Sequence, residues 1–335
     1  MTHSHDFSPF KTSREARAFW VTAPGHGEIR AEALRAPRDD ELVVEALFSG
    51  ISRGTEALVF GGHVPQSEWV HMRAPFQAGD FPAPVKYGYS SVGRVVHGSH
   101  ALTGRNVFVL HPHQTRFIVP PDAVHVLPDG VPAGRAVLAA NLETALNAMW
   151  DARPHVGDRI AVIGAGTVGC LAAWLASQIA GCEVELVDLN PRRAAVAAAL
   201  AVRFAAPEAA ARDADLVIHA SGAPEGLALA LAIAGVDATI VELSWFGDRV
   251  VPLPLGEAFH ARRLTIRSSQ VGHVASSQVP RWNTRRRMQL ALRLLREPVL
   301  DVLITGESDF ETLPEVMATL ARSPGDALCH RIRYL

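Results

Sequence analysis

The sequence predicts an α/β chain in which a mainly antiparallel β region is followed by a parallel sheet made of βαβ units. Three observations carry this. Before residue 125, short stretches such as VVEAL, GRVVH and NVFVL are bounded by Gly or Pro, as strands with one buried face are. From about Pro128, apolar strand-like runs alternate with helical patterns, the order that builds a parallel sheet. Between one such strand and helix lie Gly164, Gly166 and Gly169, spaced as G-x-G-x-x-G.

In chain order, Glu41 to Leu47 and Gly104 to Leu110 are strands of the first region. Between them PFQAGDFPAPVKYGYSS, dense in turn residues, is a long surface loop of the kind that often serves function. Pro132 to Asp151 has apolar residues at helical spacing. A strand then enters the glycine turn, a helix leaves it, and Val184 to Leu189 forms the next strand. Only Pro191 to Ala214 separates this from the strand DLVIHASG, so the unit between them is expected to be shortened. ATIVELS is a further strand, Arg281 to Arg296 a basic helix, Leu313 to Arg322 another helix, and HRIRYL a final strand.

The length of 335 residues allows two domains, each with its own core. With 32 Lys+Arg against 34 Asp+Glu, the net charge of −2 gives no footprint for a nucleic-acid partner. No run of about 18 apolar residues predicts a membrane span. The opening MTHSHDFSPFKTSREARAFW lacks a secretory apolar segment, and His3 and His5 belong to a terminus expected to be mobile. Cys170, Cys182 and Cys329 are too few and scattered for a disulfide framework, which points to a reducing, cytoplasmic compartment.

The glycine turn is the strongest chemical signal. The first glycine permits a tight turn, the second lets a pyrophosphate approach the backbone, and the third lets the helix pack on the strand. Thr167 and Val168 open that helix, so their N–H groups and the helix dipole point at the phosphates. Asp188 ends the next strand about 20 residues on, placed to accept hydrogen bonds from the adenosine ribose and to repel a 2′-phosphate. This favours NAD(H) over NADP despite Arg192 and Arg193 nearby; the plainer reading of Asp188 is a cap on the helix starting at Pro191. Arg193 and Ser221 join the expected cofactor-binding set.

With those residues placed, the whole chain resembles the medium-chain dehydrogenase/reductase superfamily. VVEALFSGISRGTEALVFGG resembles the segment carrying the first catalytic zinc ligand of its alcohol dehydrogenases. KYGYSSVGRVV is similar to the family's Gly-His-Glu segment, and HVLPDGVPAGRAVLAANLETALNAMWDA to its connection into the nucleotide domain. SGISRGTE and CHRIRY look most like a branch around bacteriochlorophyllide dehydrogenase, which oxidises the hydroxyethyl group of a chlorin. The resemblance implies a GroES-like, mainly antiparallel β catalytic domain beginning at residues 1–127. It implies a doubly wound Rossmann domain inserted at 128–270, a return to the catalytic domain at 271–335, and a homodimer formed through the edge strand near Leu264 to Gln270.

The zinc chemistry does not carry over. The first ligand position falls at Ser52 or Arg53, the second at Tyr89, and the third at Ala140 or Asn141; no cysteine occurs in the first 169 residues. Tetrahedral zinc takes Cys, His or carboxylate donors, so no metal is expected. His111 and His113, two apart on a strand-like segment, are candidates for a chelating pair, although two surface histidines is the plainer reading. Hydride transfer without a Lewis acid needs hydrogen-bond donors at the reacting oxygen.

Tyr89, in place of the lost histidine, is one candidate donor. Ser52, at the first ligand position, is another candidate, and Thr55 and Glu56 stand where the family keeps a proton-relay or supporting pair. Glu143 projects toward the cleft by analogy, or instead pairs with an arginine. Arg53 is a candidate contact to the cofactor pyrophosphate, Lys86 to an anionic substrate group, and His63 and His71 are candidate proton donors. Arg285 to Arg287 read most simply as a solvated helix face, with Trp282 and Asn283 as candidate cleft residues.

The expected function is an NAD(H)-dependent oxidoreductase moving a hydride between nicotinamide and an alcohol or ketone carbon of a bulky small-molecule substrate, without zinc. The alternatives are a zinc-free quinone or enoyl reductase using NADPH, and a nucleotide-binding subunit that has lost the chemistry.

Overall fold

The computed structural model describes residues 15–323 and 325–334; His3 and His5 lie outside them. The first part contains β1 (Glu15–Ala23), β2 (His26–Ala33), β3 (Leu42–Ile51), α1 (Arg53–Phe60), β4 (Ala78–Gly79), β5 (Val85–Lys86), β6 (Ser91–His97), β7 (Asn106–Val109), β8 (Arg116–Val119) and β9 (Val124–Val126). The middle contains α2 (Ala139–Ala152), β10 (Arg159–Ile163), α3 (Thr167–Ser177), β11 (Glu183–Val187), α4 (Arg193–Ala199), β12 (Arg203–Ala205), β13 (Ala214–His219), α5 (Pro224–Ile233), β14 (Ala234–Glu242) and β15 (Thr265–Ser268). The last part contains α6 (Thr284–Leu294), β16 (Ile304–Asp309), α7 (Leu313–Arg322) and β17 (Cys329–Arg333).

The middle strands form one parallel sheet in the order β12-β11-β10-β13-β14-β15. This is the doubly wound Rossmann order, with the chain reversing direction of travel between β10 and β13. Strands such as β10 (RIAVI) and β11 (EVELV) are buried after their first residue, because helices cover both faces of a parallel sheet.

The unit between β11 and β13 departs from the shortened one expected. Residues 191–214 hold both α4 and a further strand, β12, which pairs with β11 from Glu185↔Arg203 to Val187↔Ala205. Three residues are too few for a strand periodicity to show in the sequence. DLVIHASG therefore supplies the fourth strand of this sheet in chain order, not the third.

The other strands form two sheets of GroES-like character. One is ordered β2-β1-β5-β4, and the other β16-β17-β3-β6-β7-β9 with β8 also on β3. β17 is antiparallel to β3, with His330 opposite Ile51, so the chain's last strand completes a sheet begun near its start. Helix α2 lies between the two halves and is buried on almost every side, which explains its Ala- and Leu-rich sequence. Helix α6 packs against α2 through Met288, Ala291 and Leu292, and the Asn283 side chain caps its start by accepting the Arg286 N–H at 2.8 Å. Among the described residues no helix is long and apolar enough to cross a membrane.

Candidate active site

A cleft of about 630 Å³ opens at the carboxyl ends of β10, β13 and β14, facing the start of α1. On one wall lies the glycine turn. Gly164 has φ +102°, and a Cβ there would stand 2.6 Å from the Ser221 backbone; one on Gly169 would stand 1.9 Å from the Gly164 carbonyl oxygen. Both positions therefore need glycine for packing. A Cβ on Gly166 would meet nothing within 4 Å, so this glycine leaves open the space in front of the helix N-terminus, where Thr167 and Val168 line the cleft. This cradle fits a dinucleotide pyrophosphate.

Asp188 closes the turn from the side. Its Oδ2 accepts the Ala165 N–H at 2.6 Å and its Oδ1 the Asn190 N–H at 2.8 Å. Arg193 is turned elsewhere: it is buried, and its guanidinium donates to the carbonyl oxygens of Asp326 and Ala327. Arg192 is ion-paired with Asp326. Arg53 does line the cleft, and its guanidinium pKa is lowered by burial and by the charge of Arg193, with Asp188 opposing. Among the described residues it has no carboxylate at ion-pair distance.

The opposite wall holds Ser52, Thr55, Tyr89 and Asn141. Strand β3 ends at Ile51 and delivers Ser52 to the head of α1; α2 delivers Asn141, whose Nδ2 donates to Ser52 Oγ at 3.1 Å. Burial, reinforced by the charge of Glu56 and opposed by the neighbouring Ser52 and Thr55 hydroxyls, pushes the Tyr89 pKa up to about 12. Tyr89 is a neutral phenol near pH 7, a hydrogen-bond donor rather than a base. Hydroxyl, phenol and amide thus occupy the expected ligand positions. They do not fit zinc, and among the described residues no three His, Cys, Asp or Glu side chains converge as a metal site.

Glu56 lies behind this wall and does not face the cleft. It is 3% exposed; Oε1 accepts the Ser52 N–H at 2.8 Å and Oε2 sits 2.8 Å from His113 Nε2. His113 Nδ1 is 2.7 Å from Ser49 Oγ, which is 2.9 Å from the Tyr334 hydroxyl. Since a carboxylate only accepts, His113 carries its proton on Nε2, and Ser49 donates to Nδ1. Glu56 therefore holds Ser52 in place.

Several other expectations change. His111 and His113 are not surface residues: both are buried, His111 stacked 3.8 Å from Phe117, and they form no chelating pair. Glu143 takes the alternative of an arginine partner, bonding Arg287 at 3.0 Å inside the protein. Arg287 is thus not part of a solvated face; a helical repeat turns it inward beside Met288. Lys86 is buried and paired with Glu32 at 2.7 Å, which removes it as a substrate contact. Trp282 packs on Trp150 and Asn283 caps α6; neither lines the cleft. His63 lines it, with Asp248 at 3.4 Å, while His71 lies away beside Glu68.

The sequence reading passed over one group. At the end of β13, His219 is wholly buried, with Nδ1 2.6 Å from Glu242 Oε2 and Nε2 2.6 Å from Ser221 Oγ. Ser221 is exposed on the cleft wall. A histidine inside the apolar run of a central strand was the available signal.

No family model matches the chain. It is 24% identical over 336 residues to D-guloside 3-dehydrogenase of Escherichia coli K12, covering 91% of this chain and 93% of that protein. In structure it resembles L-idonate 5-dehydrogenase of Escherichia coli, with a TM-score of 0.78 at 15% identity over 95% of this chain and 98% of the other. It also resembles an alcohol dehydrogenase of Escherichia coli CFT073 solved with NADH, with a TM-score of 0.74 at 16% identity over 96% and 100%. The chain thus has the fold of medium-chain dehydrogenases and a near end-to-end sequence similarity to one of them, which supports a place among the nicotinamide-dependent oxidoreductases of that superfamily.

Proposed function

We propose that the protein is an NAD(H)-dependent oxidoreductase that interconverts an alcohol and a ketone carbon on a polyhydroxylated substrate, without catalytic zinc. The observation that carries this reading is the single cleft in which the Ser52–Tyr89–Asn141 cluster faces the glycine turn. When bound, the nicotinamide dinucleotide supplies the hydride acceptor or donor. The N–H groups at the start of α3 and the guanidinium of Arg53, which has no carboxylate partner among the described residues, would hold the pyrophosphate. Asp188 would accept from the ribose hydroxyls. Arg193 is engaged by the carbonyl oxygens of residues 326 and 327 and Arg192 is paired with Asp326, which, with the charge of Asp188, supports NAD over NADP.

Tyr89 donates a hydrogen bond to the substrate oxygen, with Ser52 and Thr55 fixing the phenol. Asn141 and the Glu56–His113 pair fix Ser52 in turn. Fixed donors in a part-buried site stabilise developing charge better than mobile water does. Polar walls that include Thr144, Ser244 and Asp248 suit a hydroxylated ring better than the apolar face of a chlorin. The outer edge of β15, unpaired in the described sheet, is the surface we assign to a homodimer. The scattered free cysteines fit a cytoplasmic location.

Titration with NADH and NADPH by protein-to-nicotinamide fluorescence transfer, followed by a screen of polyols, glycosides, ketones and a hydroxyethyl chlorin, tests the reading. NADH is expected to bind at least about tenfold more tightly, and Tyr89→Phe to lower kcat by about 100-fold while NADH binding persists. Preference for NADPH with turnover of a quinone or enoyl compound overturns it. Tight NADH binding without turnover on any substrate marks a non-catalytic subunit.

A further inference from the structure

We propose that Ser221, His219 and Glu242 form a proton relay whose cleft end, the Ser221 hydroxyl, exchanges a proton with the reacting oxygen of the substrate. This rests on the proposed function and assigns the one service that the Tyr89 cluster does not supply. Oxidation of an alcohol carbon breaks its C–H and O–H bonds. The C–H electron pair leaves as hydride to the oxidised nicotinamide, a C=O bond forms, and the O–H proton must go to a base. Tyr89 is a neutral donor, and Glu56 and Glu143 are enclosed and paired, so none of them can receive that proton from the cleft.

The geometry of the three residues is directional. β13 and β14 are parallel neighbours with His219 opposite Glu242, which brings the imidazole and carboxylate together. Glu242 is held twice: Oε2 lies 2.6 Å from His219 Nδ1, and Oε1 accepts the Ser244 N–H at 2.6 Å. A carboxylate only accepts, so Nδ1 carries the hydrogen and Nε2 presents a lone pair, to which the Ser221 hydroxyl donates at 2.6 Å. Ser221 Oγ also accepts the Ala223 N–H at 3.1 Å, which fixes its rotamer. Helix α5 makes room for the pair: a Cβ on Gly226 would come within 2.3 Å of Ser221 Oγ and 2.7 Å of His219 Nε2.

In the oxidising direction, Ser221 passes its own proton to Nε2 as it takes the substrate's, directly or through one water. The resulting imidazolium is paired with Glu242, and the reverse sequence serves reduction. Ser221 is the group at the cleft; His219 acts through it, and Glu242 is a positioning residue. Charged groups on or near the elements around His219 include Glu225 on α5, Asp248 and Arg249 after β14, and Arg53 and His63 across the cleft, while Arg159, Asp215 and Asp237 lie toward the amino-terminal parts of β10, β13 and β14. His63, exposed on the cleft and beside Asp248, is the rival route for the proton and is controlled for.

The test reads protons as well as turnover. Turnover of the full chain is compared in H2O and D2O, and NADH affinity is measured on the same variants by fluorescence transfer. A relay that moves protons along with the hydride is expected to give a solvent deuterium isotope effect on kcat, which the His219→Gln variant loses and the His63→Gln variant keeps. Ser221→Ala and His219→Gln are each expected to lower kcat by about 100-fold, the double variant no further, with the KM for NADH unchanged.

A solvent isotope effect that survives His219→Gln or disappears in His63→Gln overturns the relay, as does full turnover in Ser221→Ala. Dinucleotide binding and turnover with no solvent isotope effect overturn the relay alone. Failure to bind either dinucleotide overturns the functional reading and the relay together.

Discussion

The guanidinium of Arg287 meets the carboxylate of Glu143 at 3.0 Å, joining α6 to α2 with the two residues 1% and 5% exposed. The remaining Arg287 donors go to Asn147 Oδ1 and to the carbonyl oxygens of Val271 and His273. Burial raises the Glu143 pKa, and Arg287 opposes the rise. Removing the arginine leaves a carboxyl group buried without its partner. Arg287→Ala is expected to destabilise the protein by about 3–5 kcal/mol, and Arg287→Met with Glu143→Leu to recover much of that loss. Urea unfolding midpoints of the single and double variants check it.

Asp188 is expected to set both cofactor choice and the shape of the glycine turn, because its two oxygens already hold the Ala165 and Asn190 N–H groups. Asp188→Asn removes the charge that repels a 2′-phosphate and leaves one oxygen for two donors. NADH affinity should fall by about tenfold and the preference over NADPH should narrow, since hydrogen bonds to a charged group contribute about 1.5–3 kcal/mol. Parallel fluorescence titrations with the two dinucleotides measure it.

Burial lowers the His111 pKa from 6.5 to about 3, so its imidazole stays neutral in the folded protein. The unfolded chain binds the proton first as pH falls. The stability this contributes is present in full above about pH 6.5 and is lost as pH falls through that range toward 3. His125, lowered to about 4 chiefly by burial, acts in the same direction. His111→Phe, which keeps an aromatic ring against Phe117, should flatten part of the slope of unfolding free energy between about pH 6 and 4. Denaturant unfolding at a series of pH values shows whether it does.

The sequence displayed the parts of the fold whose causes are local. The three glycines, the apolar strand before them and Asp188 after the next strand all lie within one βαβ unit, and each occupies the expected place. Ser52, Tyr89 and Asn141, each at or beside a position that the resemblance gave to a zinc ligand, come together on one cleft wall. What stayed hidden depends on distant pairing. Glu56 meets His113 from 57 residues away, and Glu143 meets Arg287 from 144, separations that no periodicity encodes. The inward turn of Arg287 was nonetheless available. It shares a helical repeat with Met288, Ala291 and Leu292, so one arginine of a basic run had to face the same way as the apolar residues.

The Ser49 and Tyr334 hydroxyls, 2.9 Å apart, belong to residues separated by 285 positions in the chain. Because β17 lies against β3, one edge of the sheet begun by the N-terminal part stays uncovered until the much later β17 has been made. The parallel sheet in the middle needs neither chain end and can condense first. Closing β17 on β3 is a pairing of high sequence separation, expected to form more slowly than the local βαβ pairings of the middle sheet. The wall that carries Ser52 depends on that distant closure, whereas the nucleotide cradle is complete within one βαβ unit.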